Sequence, residues 1–149
     1  MTNFINSDDM LKNVVIQYDS MHHNDNYRTT EHCEAVLYMC IDGKSAYTNE
    51  FAIMTVNESF FCFYALTMLA SPPFQLKHIK HKRVVPYSSI TKIKTRKFFI
   101  WQNVKIWVND NGRKYKLALT ISYKTVGIER QRDNVLWLVD FIKEKGLNH

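Results

Sequence analysis

The stretch Val104-Lys105-Ile106-Trp107-Val108-Asn109-Asp110-Asn111-Gly112-Arg113-Lys114-Tyr115-Lys116-Leu117-Ala118-Leu119-Thr120-Ile121 decides the fold class. In its first half Val104, Ile106 and Val108 alternate with Lys105, Trp107 and Asn109. In its second half Tyr115, Leu117, Leu119 and Ile121 alternate with Lys114, Lys116, Ala118 and Thr120. A period of two puts one set on one face of a pleated strand and the other set on the opposite face. Between the halves, Asn109-Asp110-Asn111-Gly112 supplies residues that accept the positive φ of a tight hairpin turn. The stretch therefore predicts an antiparallel hairpin with one face toward a core.

Toward the N-terminus, further strand-length runs follow one another. Residues 83–95 are β-branched and aromatic. Pro86 within them cannot donate to a ladder, which places it at an edge, a strand start or a bulge. Phe60 to Leu66, Ser45 to Val56 and Ala35 to Ile41 are three more candidate strands. The last is also compatible with a helix, because a short apolar run has no diagnostic period. Asp42-Gly43 and Asn57-Glu58-Ser59 read as turns, and residues 68–81, with Pro72-Pro73, as a longer connection. Ahead of the strands, Ser7-Asp8-Asp9 can cap a helix over about residues 8–19, in which Met10, Leu11, Val14, Val15 and Tyr18 recur at helical spacing. Residues 20–31 are polar and read as a loop. At the other end the period returns to helical. Val135, Leu138, Val139 and Ile142 form a stripe widened by Leu136, Trp137 and Phe141. Asp133 suits its start, and Lys143, Lys145 and Gly146 its last turn and stop.

The order helix, loop, antiparallel strands, helix predicts a mostly β protein, a β-barrel with a C-terminal capping helix that plugs the open end of the strands. The chain has 149 residues, the size of one domain, with 46% hydrophobic and 13% aromatic residues. Cys33, Cys40 and Cys62 form no close pair, so no disulfide framework is expected. The apolar run from Phe60 to Ala70 is shorter than the ~18 residues of a membrane span. Met1 to Asn6 lacks the basic and apolar regions of a signal peptide, and the unpaired cysteines make a reducing cytoplasm the expected compartment. Charge is unevenly placed. Residues 1–70 hold three basic side chains against nine acidic, and residues 71–149 hold 17 against five. Such a balance favours an anionic partner.

His22, His23, His32 and Cys33 match no compact zinc spacing, and no metal or cofactor is expected. The glycines build no phosphate loop, no G-x-S-x-G occurs, and Cys62 lacks a polar setting, so no catalytic residues are expected and the chain is not read as an enzyme. The basic residues Lys77, Lys80, Lys82, Arg83, Lys92, Lys94, Arg96 and Lys97 are the candidates for binding an anion or lipid, and Lys92, Lys94 and Arg96 would share one strand face. A solvated face guarding a sheet edge is the plainer reading of the same residues. Phe98, Phe99 and Trp101 could stack on bases, but read as core or hairpin packing. Met10, Leu11, Val14, Val15 and Tyr18 would pack on their own barrel or form an interface with a partner.

Four segments carry a resemblance. Tyr47-Thr48-Asn49-Glu50-Phe51-Ala52-Ile53-Met54, Val85-Pro86-Tyr87-Ser88-Ser89-Ile90-Thr91-Lys92-Ile93 and Asp110-Asn111-Gly112-Arg113-Lys114-Tyr115 resemble, in order, strand and turn motifs of bacterial pleckstrin-homology (PH) and GRAM domains. The helix around Trp137 stands where those domains place their capping helix. Glu50-Phe51 replaces a basic residue of that pattern, and the N-terminal helix lies outside it. The resemblance implies a PH-like split barrel over residues 34–149, with residues 1–33 as an added helix and loop. It also implies a binding scaffold, used by that family for lipid head groups, peptides and protein surfaces. The expected function is a non-catalytic binding module acting through protein–protein contact or self-association, by a sheet edge or the N-terminal helix. One alternative is a peripheral module on anionic lipids at the inner membrane surface. The other is a single-stranded nucleic-acid binder. No small-molecule substrate is expected.

Overall fold

The hairpin forms as its alternation dictates. In a computed structural model, which describes residues 9–22, 27–29, 33–42, 49–67, 74–125 and 127–146, Trp101–Asp110 pairs with Arg113–Ser122. Val104, Ile106, Val108, Leu117, Leu119 and Ile121 are all buried. The loop is Asn111-Gly112, with φ of 52° and 93°, and the Asn109 Oδ1 accepts the Gly112 N–H at 2.9 Å. A Cβ at Gly112 would meet nothing within 4 Å. Gly112→Ala is therefore expected to lower the unfolding free energy by roughly 1–2 kcal/mol through backbone strain alone. Urea unfolding measures this, and an unchanged midpoint would contradict it.

In chain order the elements are α1 (Asp9–Met21), β1 (Ala35–Asp42), β2 (Glu50–Val56), β3 (Phe60–Leu66), a 3-10 turn (Leu76–His78), β4 (Ile79–Pro86), a second 3-10 turn (Tyr87–Ser89), β5 (Ile90–Phe98), β6 (Trp101–Asp110), β7 (Arg113–Ser122) and α2 (Gln131–Glu144). The strands form one antiparallel sheet in the order β4-β3-β2-β1-β7-β6-β5. The run 83–95 is thus two strands rather than one. Pro86 ends β4, the Tyr87–Ser89 turn interrupts the path, and β5 runs in the same sense as β4 at the opposite edge. Both flanking strands are edges, where a missing N–H is tolerated. The Ser7-Asp8 cap, Gly43, residues 45–48 and Pro72-Pro73 lie outside the described residues.

The sheet is an open, split barrel. β1 meets β7 only over Cys40↔Thr120, Ile41↔Leu119 and Asp42↔Ala118. Toward the other end of β1 the two strands part, and α2 enters the gap. A backbone group left unpaired there would be costly once buried. Two side chains of α2 replace the missing ladder. Gln131 Nε2 donates to the Tyr38 carbonyl at 2.6 Å and to that of Ser122 at 3.1 Å, while its Oε1 accepts the Tyr38 N–H at 3.2 Å. Asn134 Nδ2 donates to the Val36 carbonyl at 2.9 Å. Below them Val135, Leu138, Phe141 and Ile142 close the barrel core with Leu37, Met54, Phe61 and Ile106. Trp137 stacks on Phe141 at a centroid distance of 4.9 Å. Leu136 points out, and Asp133 stands one turn inside the helix rather than at its cap, which is Arg130.

β1, β2 and β3 read as continuous apolar runs because both of their faces are covered. The inner residues join the barrel core, and Val36, Ile53, Cys62, Tyr64 and Leu66 of the outer face pack against Leu11, Val14 and Val15 of α1. This corrects the interface reading of Met10, Leu11, Val14, Val15 and Tyr18. Leu11, Val14 and Val15 are buried and Met10 and Tyr18 half-buried against the chain's own sheet, so the stripe is spent intramolecularly.

Candidate anion-binding interface

The outer face of the other half of the sheet carries no helix among the described residues. Strand register fixes what it displays. Lys92, Lys94 and Arg96 of β5 stand opposite Trp107, Lys105 and Asn103 of β6. Those in turn oppose Lys116, Ala118 and Thr120 of β7, with Lys114 opposite Asn109 beyond them. Lys92, Lys94, Arg96, Lys105, Lys114 and Lys116 thus share one face of three strands. No Asp or Glu occurs anywhere from residue 59 to residue 109, and none projects from this face of the three strands. Among the described residues no carboxylate lies within ion-pair distance of these six cations.

Trp107 lies at the centre. The Lys92 Nζ stands 5.1 Å and the Lys116 Nζ 5.7 Å from its ring centroid, so the indole holds two ammonium groups against the sheet. The proximity of Lys94 holds the Lys92 ammonium below its ordinary pKa, as like charges crowded without a counter-ion must. Lys94, Thr95, Arg96, Asn103 and Lys105 line a shallow depression beside it. Chemically the face is an array of N–H donors and positive charge with no acceptor carboxylate, suited to several phosphates at once.

The remaining basic candidates are dispersed. Lys77 and Lys80 are exposed on the first 3-10 turn and on β4. Arg83 sits at the barrel mouth with its guanidinium 5.5 Å from the Tyr115 ring centroid. The Lys97 Nζ lies 5.1 Å from the ring of Tyr123. Lys82 is corrected outright. Its Nζ meets the Asp19 Oδ1 at 3.0 Å, with both side chains almost wholly buried, and it also donates to the Tyr27 carbonyl. The Tyr64 hydroxyl, 2.9 Å from either Asp19 oxygen, and the Thr29 N–H at 2.7 Å complete the cage around the carboxylate. This network clamps α1 to β3 and β4 and leaves Lys82 no role on the surface.

Burial raises the pKa of Tyr64, Tyr87 and Cys33, and burial with Asp42 beside it pushes Cys40 up to about 11. Each proton is held more tightly in the fold than in the unfolded chain. The stabilisation is complete below the ordinary values of 9.0 and 10.0 and is lost as pH climbs through the folded ones. The urea midpoint is accordingly expected to fall between pH 9 and pH 11. A midpoint that rises over that window would contradict the assignment.

Two of the four metal candidates, His22 and Cys33, are among the described residues. His22 stacks on Tyr18 at 4.0 Å, Cys33 is buried, and His23 and His32 lie outside the described residues. Phe98, Phe99 and Trp101 are not core. They form, with Ile100, the exposed tip of the β5–β6 hairpin. Lys105, Trp107, Lys114 and Lys116 were missed as site residues, although the alternation that defines the hairpin already puts them on its solvent face.

No protein-family model matches the sequence, and no curated protein does. Among solved structures the fold is similar to the hSac2 domain from human phosphoinositide phosphatase Sac2. The TM-score is 0.53 at 9% sequence identity, and the match covers 93% of this chain and 85% of that one. At that identity the likeness is one of fold. Among the described residues no helix is long and apolar enough to cross a membrane.

Proposed function

We propose that the chain is a non-catalytic, PH-like module that binds anionic membrane surfaces in the cytoplasm through the bare outer face of β5, β6 and β7. The observation that carries this reading is the sharing of one carboxylate-free face by Lys92, Lys94, Arg96, Lys105, Lys114 and Lys116. The face spans roughly 10 Å across three strands and 13 Å along β5, enough to meet several head groups at once. Each cation near such a surface contributes about 1 kcal/mol, so the face is worth at most about 6 kcal/mol. A fold shared with a domain of a phosphoinositide phosphatase fits a lipid- or protein-binding module. Protein–protein contact, the function the sequence put first, would have to use a sheet edge, because the apolar stripe of α1 is packed on its own sheet.

Vesicle co-sedimentation tests the reading. Binding is expected to vesicles containing phosphatidylserine and not to pure phosphatidylcholine, weakening steeply with salt as screened charge must. Equal binding to both, or none to either at low salt, would overturn it.

A further inference from the structure

The β5–β6 hairpin ends in Phe98-Phe99-Ile100-Trp101, with these residues 48%, 78%, 59% and 40% exposed. Four large apolar residues in a row, all in water, are unusual on a protein surface and mark an interaction site. The tip is braced rather than loose. Phe98 pairs with Trp101 across the ladder, their rings are stacked at 6.4 Å, and Phe99 packs edge-on against Phe98 at 4.8 Å. The Tyr123 N–H donates to the Ile100 carbonyl at 2.9 Å, and the Tyr123 hydroxyl donates to the Gln102 Oε1 at 2.6 Å. Phe99 has a φ of 52°, at a hairpin position where glycine is the easy choice. A bulky side chain is kept there against the local backbone preference, and it faces solvent.

We infer that this tip is a wedge that inserts into the interfacial layer of an anionic bilayer. The inference rests on the proposed membrane reading and adds a second, apolar anchor to it. Three observations select a bilayer as the occupant. First, Arg96 and Lys97 collar the tip on one strand, and Lys124 follows Ser122, the β7 partner of Trp101. A second copy docking tip to tip would bring two such collars together, whereas anionic head groups neutralise them. Second, Phe98 and Trp101 lie on the same face as Lys94 and Lys105, so the apolar tip and the basic face address one surface. Third, the ladder closes at Phe98↔Trp101 and the Ile100 carbonyl is bonded, which leaves few backbone groups to desolvate on entry. Aromatic rings at the level of the head groups suit that depth. Charge alone gives reversible attachment, and a short apolar insertion is the usual second signal.

The test uses the full chain and phosphatidylserine/phosphatidylcholine vesicles, some with brominated acyl chains. Tryptophan fluorescence is expected to be quenched by brominated lipid in the parent and to lose most of that quenching in Trp101→Phe, with Trp107 and Trp137 still present. A Phe99→Ser/Ile100→Ser variant is expected to keep low-salt binding through the intact basic face and to lose roughly 10–100-fold of its affinity at physiological salt. These substitutions lie at an exposed tip, so folding is not at stake. Equal binding of parent and tip variant, or quenching that survives Trp101→Phe, would overturn the wedge while leaving the basic face standing. A parent that fails to bind even at low salt would overturn both. A tip-dependent change in molecular mass, or tip-dependent binding to single-stranded DNA in place of vesicles, would also overturn it.

Discussion

A Lys82→Met variant is expected to unfold with about 3–5 kcal/mol less free energy than the parent. The substitution removes the one cation from a carboxylate otherwise held by the neutral donors Tyr64 and Thr29. Asp19 cannot turn to water, since its side chain is only 2% exposed in the clamp between α1 and the sheet. The double variant Asp19→Asn/Lys82→Met is expected to recover much of the loss, because it removes the buried charge rather than stranding it. Urea unfolding of the three proteins gives the comparison. If Lys82→Met lost less than about 1 kcal/mol, the range of an exposed pair, the clamp would be a surface contact only. A buried pair of this kind is better suited to fixing where α1 sits than to raising stability. A helix held by Leu11, Val14 and Val15 alone could slide on the apolar outer face of β1 to β3.

The second large effect is on binding. Changing Lys92, Lys94 and Arg96 together to Ser is expected to weaken attachment to phosphatidylserine vesicles by about 3 kcal/mol, roughly 100-fold. The salt dependence should flatten at the same time, since fewer phosphates are engaged. Stability should hardly change, because the three side chains carry no ion pair among the described residues and Lys92 repels Lys94. Their loss relieves that repulsion. A variant that bound as tightly as the parent would return these residues to the plainer role of a solvated edge.

How much of this was legible depends on the period of each segment. The β6–β7 hairpin was plain, because one face is wet and the alternation is clean. So was the α2 stripe, apart from Leu136. The interface role given to α1 failed because amphipathicity shows that a stripe is buried without saying against what. Continuous apolar runs in β1, β2 and β3 were the signal that a second layer covers them. Lys82 was misplaced for a related reason. β4 is an edge strand whose solvent side is partly roofed by α1 and residues 27–29, and only tertiary structure brings Asp19 to it. Residues 83–95 looked like one strand because Pro86-Tyr87 carries no glycine to mark the turn. Gln131 and Asn134 looked like surface polar residues, and their use as substitutes for a β-ladder has no sequence signature. The exposed tip was legible only as apolar residues, which a sequence reader assigns to a core by default.

Binding by the outer face of β5, β6 and β7 depends on the place of the charge rather than its amount. Two variants of equal net charge make the distinction, Lys92→Ser/Lys94→Ser/Arg96→Ser and Lys77→Ser/Lys80→Ser/Lys143→Ser, measured beside the parent for binding to phosphatidylserine vesicles across a salt series. The predicted result is a loss of roughly 100-fold in the first and near-parental binding in the second. Equal losses in both would show attraction by net charge alone and contradict a binding face on β5, β6 and β7.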